Sequence, residues 1–287
     1  MGRPSHARAR HGRLVANPAW VTDILAESWE VLNDTVPPAW RPRLDDIRAT
    51  SADRISGSVH EYGCGHYGCV YPTYDPEVVM KVTTDETEAE FAADLAATLV
   101  RPICVIYRQV VALAARHKKR AVHLLWRESA THVGDLEKVL GGLAVDYLHA
   151  QHAAAQFAYA ALGGHVTSTW LEKHRESWQG SANATFGFVD LVDVNDVFEQ
   201  LAVVKMERVH DMARTALSLW VSSVDKMARQ TKIPQLRRLA DGMLEVYTQQ
   251  HIFFGDVHSG NVGLVARADG GHWVITDPGH VAVTSHL

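Results

Sequence analysis

Apolar residues recur at steps of three and four near the start of the chain, at Trp20, Val21, Ile24, Leu25, Trp29 and Leu32. This spacing puts them on one face of a helix, and Pro37-Pro38 sets its end. The texture changes at Ile55. Cys69-Val-Tyr-Pro-Thr-Tyr74, a turn at Asp75-Pro76 and Val78-Val-Met-Lys-Val82 read as strand, turn, strand. A helix follows from Thr84-Asp85 to Leu99, and residues 103–113 and 121–127 are strand-like on either side of the basic turn Arg116-His-Lys-Lys-Arg120. With the earlier runs they predict a small five-stranded region.

From Val133 to His251 the pattern is helical and Ala-rich. Ala202, Met206, Val209, Ala213, Ala216, Trp220, Val224 and Met227 form one long buried stripe, so these methionines and Trp220 are core. Pro234 opens a further helix with Leu236, Leu239, Met243 and Tyr247 inward. A strand pair, Val262 to Val265 and Trp273 to Ile275, ends at Thr276-Asp277-Pro-Gly279. The fold class is α+β, divided into a basic tail (1–13) expected to be disordered, a helical extension (14–54), a strand-rich region (55–129) and a mostly helical region (130–287).

Composition narrows the function. At 287 residues, 47% hydrophobic and 21% charged, the chain can bury full cores. A formal net charge of −5 gives no overall bias toward nucleic acid or anionic membrane, although the first thirteen residues hold four arginines and no acid. No apolar run has the length of a membrane span and no signal peptide is evident, so a soluble, cytoplasmic protein is expected. Three cysteines, Cys64, Cys69 and Cys104, with no C-x-x-C, argue against a disulfide framework or structural zinc and for a reducing compartment. His149 and His152 share a helix without a carboxylate in zinc-protease spacing, and read as solvated or core-edge residues.

The chemistry-bearing residues come in a fixed order. Gly63, Gly65, Gly68 and Val70 fit G-x-G-x-x-G-x-V inside a hairpin, where glycine lets backbone approach phosphates closely. Lys81 stands in the next strand between Met80 and Val82, which face away from it. Glu88 falls on the inner stripe of the following helix and is the residue expected to pair with Lys81; Glu90 is the fallback. His251 to Leu264 then carries Asp256, His258 and Asn261. An acid five residues before an amide, with Ser259 and Gly260 between, suits a tight loop in which Asp256 accepts a hydroxyl proton and Asn261 offers an oxygen to a metal. Asp-rich turns with Gly and Asn are also ordinary loop chemistry.

Taken together these motifs resemble the protein-kinase-like phosphotransferase superfamily over about residues 57 to 280. The resemblance implies a bilobal fold with a small five-stranded antiparallel N-lobe carrying one helix, and a helical C-lobe that stops soon after the metal-binding aspartate. It implies ATP under the glycine hairpin, Lys81 on its α- and β-phosphates and held by Glu88, and a hinge at Arg127-Glu128-Ser-Ala130 presenting backbone to the adenine. It further implies Asp256 as the catalytic base, and Asn261 and Asp277 on Mg2+. His258 stands near the place of a γ-phosphate lysine, where it assists there or braces the loop.

Departures from the pattern matter too. Phe254-Gly255-Asp256 replaces His-Arg-Asp, and Asp-Val-His-Ser-Gly-Asn is similar to the loop of aminoglycoside and choline phosphotransferases. Pro278 follows Asp277, and eight residues follow Gly279, so no activation segment is expected. The expected function is an atypical serine/threonine protein kinase with a protein substrate. A small-molecule phosphotransferase, a silent pseudokinase and AMP transfer are the alternatives.

Overall fold

The computed structural model describes residues 19–43, 68–95, 103–132, 147–148, 151–152, 154–156, 158–159, 162, 209–278 and 281–284. It is a mixed α+β protein with antiparallel strand pairs, and it divides into two compact units, residues 1–86 with 108–127 and residues 87–107 with 128–287. Gly63 and Gly65 lie outside the described residues, as do Cys64 and His149.

The first unit is built on a four-stranded sheet in the order β1-β2-β4-β3, from β1 (Gly68–Pro72), β2 (Val78–Thr83), β3 (Tyr107–His117) and β4 (Arg120–Glu128). Helix α1 (Ala19–Thr35) supplies the other side of its core. Val21, Ile24, Leu25 and Leu32, a helical stripe, are buried in one cluster with Cys69, Tyr71, Met80, Val82, Leu124 and Trp126. The helix that composition sets apart as an extension therefore shares a core with the sheet. Pro37 and Pro38 end it in a single 3-10 turn, and Trp126 donates its indole N–H to the Trp40 carbonyl at 2.7 Å. Arg43 N–H then bonds Pro72 O at 3.1 Å, drawing the chain along the end of β1.

Two details differ from expectation. Residues 103–106 precede β3 and are not part of it; four of the five expected strands are described, and the run that starts at Ile55 lies outside the described residues. Ile103, Cys104 and Val105 form an apolar run without alternation, and all three are buried in the second unit, where Cys104 bridges Ile275. Cys69 is disulfide-bonded while Cys104 is free. An odd count excludes complete pairing and leaves room for one bridge.

The second unit holds helix α2 (Glu86–Leu95), described helical residues between 147 and 162, α3 (Val209–Gln230) and α4 (Pro234–Gln250). It also holds a sheet ordered β5-β7-β8 and a ribbon of β6 with β9: β5 (Thr131–His132), β6 (Ile252–Phe254), β7 (Val262–Arg267), β8 (Gly270–Ile275) and β9 (Val281–Val283). Trp220 of α3 is fully buried and meets the rings of Tyr247 and Phe253 edge-on at 5.3 and 4.8 Å. Leu236, Leu239, Ala240, Met243 and Val246 give α4 its buried stripe. At its end His251 adopts a left-handed φ of 55° and donates its N–H to Tyr247 O at 2.9 Å. The chain thus turns from α4 directly into β6, two residues before Asp256.

Candidate functional site

Asp256 follows the buried Phe253, Phe254 and Gly255 of the β6 segment, which fixes where its backbone lies. Phe254 is held edge-on by Phe91 of α2, at 5.9 Å between centroids. From there the loop closes on itself. Asn261 donates its side-chain amide to Asp256 O at 2.9 Å and to Asp256 Oδ2 at 3.1 Å, and its backbone N–H to His258 O at 2.9 Å. Gly260 N–H bonds His258 Nδ1 at 2.9 Å, and a Cβ at Gly260 would come within 2.8 Å of His258 Cε1. Only glycine leaves room for that ring at this place.

The β7–β8 hairpin brings in the distant aspartate. Its register pairs Val262 with Ile275, and Thr276 N–H bonds Asn261 O at 2.8 Å. Asn261 and Asp277 therefore lie at the same end of the hairpin although sixteen residues separate them in sequence. Since the Asn261 amide nitrogen is engaged with Asp256, its oxygen is the atom left to meet a cation. Gly263 in β7 is needed for close packing, because a Cβ there would reach Thr276 Cγ2 at 2.7 Å.

His152 and Gln156, one helical turn apart, reach the same carboxylate from the other side. His152 Nε2 is 3.0 Å from Asp256 Oδ1. Gln156 donates to Gly255 O at 2.9 Å and to Asp256 Oδ1 at 3.3 Å. Their neighbour Gln151, fully buried, donates to the carbonyls of Leu148 and Val257, fastening this helix to the loop. His152 is accordingly a core-edge residue, 27% exposed, whose partner is Asp256. The signal present in the sequence was three polar residues, Gln151, His152 and Gln156, amid alanines on one helical segment.

His152, Asp256 and His258 place ligand atoms within 4.8 Å of one another, close enough to hold a metal. Their protons favour a different arrangement. His258 Nδ1 accepts the Gly260 N–H, so Nε2 of the neutral ring carries hydrogen and faces Asp256 Oδ1 at 3.9 Å. A metal on that Nε2 would require the proton to move to Nδ1, against a donor already there. As it stands the trio is a hydrogen-bonded carboxylate with side chains about a quarter to a third exposed, Asp256 at 27%.

The other expected residues are described within their own units. In the first unit, Val70 lies directly opposite Lys81 across β1 and β2, and Gly68 opposite Thr83. A Cβ on Gly68 would sit 2.0 Å from Val82 O, so the strands approach too closely for any side chain. Lys81 is buried at 5% exposure in a strand whose six residues are all buried. In the second unit Glu88 is fully buried and accepts the Tyr107 hydroxyl at 3.1 Å, whereas Glu90 is exposed.

Glu128 has a structural setting. Arg267 donates to both its oxygens, Nε to Oε1 at 3.2 Å and NH2 to Oε2 at 2.9 Å, while Ile106 N–H reaches Oε2 at 3.2 Å. Its backbone N–H is taken by Ile106 O at 2.8 Å. Arg267 also reaches the carbonyl of Cys104 at 3.0 Å. Burial pushes the Cys104 thiol far above its ordinary range, an effect the nearby Arg267 only partly offsets.

Comparison with protein-family models, with curated proteins and with solved structures finds no match for this chain. Among the described residues no helix is long and apolar enough to cross a membrane.

Proposed function

We propose that the protein is an ATP-dependent phosphotransferase, an atypical serine/threonine protein kinase in which Asp256 accepts the proton of the acceptor hydroxyl. The observation that supports this reading is the hydrogen-bonded path from Asp256 through Asn261 to Thr276, with Asp277 the next residue in the chain. Asn261 and Asp277 offer an amide oxygen and a carboxylate, hard donors of the kind magnesium takes before completing its shell with phosphate and water. Magnesium held there would neutralise charge on the phosphate oxygens.

Asp256 has the attributes of a base in reach of substrate. It is partly exposed, its backbone is anchored by β6, and both its oxygens are oriented by donors. His258 is braced by Gly260, which favours a role in shaping the loop. The finer fold reading, a protein-kinase-like pair of lobes with Gly68, Val70 and Lys81 on the nucleotide phosphates, belongs to the same proposal and rests on the motif order.

Incubation of the purified chain with magnesium and γ-labelled ATP, alone, with generic protein substrates and with aminoglycosides or amino alcohols, tests the reading. Label on protein, lost in Asp256→Ala and Asp277→Ala, is expected. Label confined to small molecules would move the assignment to a small-molecule phosphotransferase, and an added AMP in the mass spectrum to nucleotidyl transfer. ATP binding without transfer to any acceptor or to water would leave a pseudokinase.

A further inference from the structure

Taking Asp256 as the base, we propose that His152 is its positioning residue, donating Nε2–H to Oδ1 so that the carboxylate is held in one orientation. Oδ1 receives two donors from one helical segment, the His152 imidazole at 3.0 Å and the Gln156 amide at 3.3 Å, and Oδ2 receives the Asn261 amide at 3.1 Å. Donors on both oxygens resist rotation about the Cβ–Cγ bond of the acid.

The proton inventory assigns the histidine tautomer. Gln156 Nε2 lies 3.2 Å from His152 Nε2, and one of its hydrogens is directed to Gly255 O. If the second goes to Asp256 Oδ1, two donors share a single acceptor, and their nitrogens approach each other because both face that oxygen. The opposite assignment, a bare Nε2 accepting from Gln156, would put a lone pair against the carboxylate unless Asp256 were protonated. A protonated Asp256 would present its hydroxyl among the amide donors of Gln156 and Asn261, and could not take a proton from an acceptor. The helix carrying His152 is itself fixed to the loop through Gln151 and Val257 O, so the donor is held in place by a second attachment.

Two measurements on the full chain separate this from the phosphotransferase reading. Long-range proton–nitrogen correlation spectra of histidine-labelled protein, with His152 assigned by its loss in His152→Gln, are expected to show Nε2 protonated. A bare Nε2 with hydrogen on Nδ1 overturns the proposal whether or not the protein turns over ATP. The second is magnesium-ATP turnover with water as acceptor. His152→Ala is expected to lower kcat by about 100-fold, the scale of a misoriented reacting group, with KM for ATP within about twofold. His152→Gln, whose amide nitrogen falls where Nε2 does, is expected to restore kcat to within about tenfold of the native value. Native kcat in a folded His152→Ala, or a folded His152→Gln as slow as His152→Ala, would overturn it. Absence of transfer to water and to every acceptor in the native chain sinks the phosphotransferase reading alone, and the tautomer still decides the role of His152.

Discussion

Glu128 and Asp256 are both largely buried acids of the second unit, and they are held by different kinds of donor. Glu128 meets the guanidinium of Arg267 at two points and a backbone N–H, with 12% of its side chain exposed. Asp256 meets two side-chain amides and an imidazole, with 27% exposed. A guanidinium in fork geometry fixes a carboxylate through two donors at once. Amide and imidazole donors orient the group, and the extra exposure leaves it reachable. The two acids show how one fold holds one carboxylate by a guanidinium fork and leaves another partly exposed among amide and imidazole donors.

Substitution should split them. Asp256→Ala is expected to cut phosphoryl transfer by about a thousandfold, within the range of a lost general base, while the denaturant midpoint stays near native. Equal loss of stability and turnover would put Asp256 in the structural class. Glu128→Ala should do the reverse, leaving Arg267 unpaired in a largely buried setting and lowering stability by about 3 kcal/mol, measured by urea unfolding. The double change Glu128→Met with Arg267→Leu should regain most of that. Cys104, whose thiol is raised by burial, should resist a thiol reagent in the native protein and react in folded Glu128→Ala if the Arg267 contact helps close that region.

A smaller effect is expected at Gly260. Adding a methyl there displaces the His258 ring from the Gly260 N–H, so Gly260→Ala should cost about 1 kcal/mol. Turnover should fall less than in Asp256→Ala. The smallest effect concerns a third carboxylate, Asp269 on the β7–β8 turn, which is fully exposed and lies 2.8 Å from His272 Nε2. The hydrogen bond from His272, aided by its own backbone, holds this acid below the usual carboxylate range. Its contribution is therefore present above the ordinary carboxylate pKa and is lost as pH falls through the lowered folded value. Asp269→Asn should flatten that part of the acid unfolding curve slightly, with no change at neutral pH in turnover.

Local patterns made part of this legible. The three-four spacing of Val21, Ile24, Leu25 and Leu32 and of Leu236, Leu239 and Met243 marks α1 and α4, and the prolines mark where one ends and the other begins. The Asp256 to Asn261 spacing pointed to a closed loop because its bonds span five residues. His152 and Asp256 are 104 residues apart and Arg267 and Glu128 139 apart, and no periodicity encodes such meetings. Residues 103–105 show a second limit. An unbroken apolar run reports burial but not which sheet it joins, and here it pairs with Ile275 in place of lengthening β3.

The β6–β9 ribbon has a dynamic consequence. Phe253 pairs with Ala282 and Phe254 with Val281, and Thr284 bonds His251 O through both its N–H and its hydroxyl. Everything between, Asp256, Asn261 and Asp277 included, is a circuit clasped at its base. Native-state hydrogen exchange should find the amides of β6 and β9 opening together, in one sub-global event, with those of the Asp256 loop opening no more rarely than the clasp. The lifetime of the assembled site is then set at a ribbon that touches none of its chemistry.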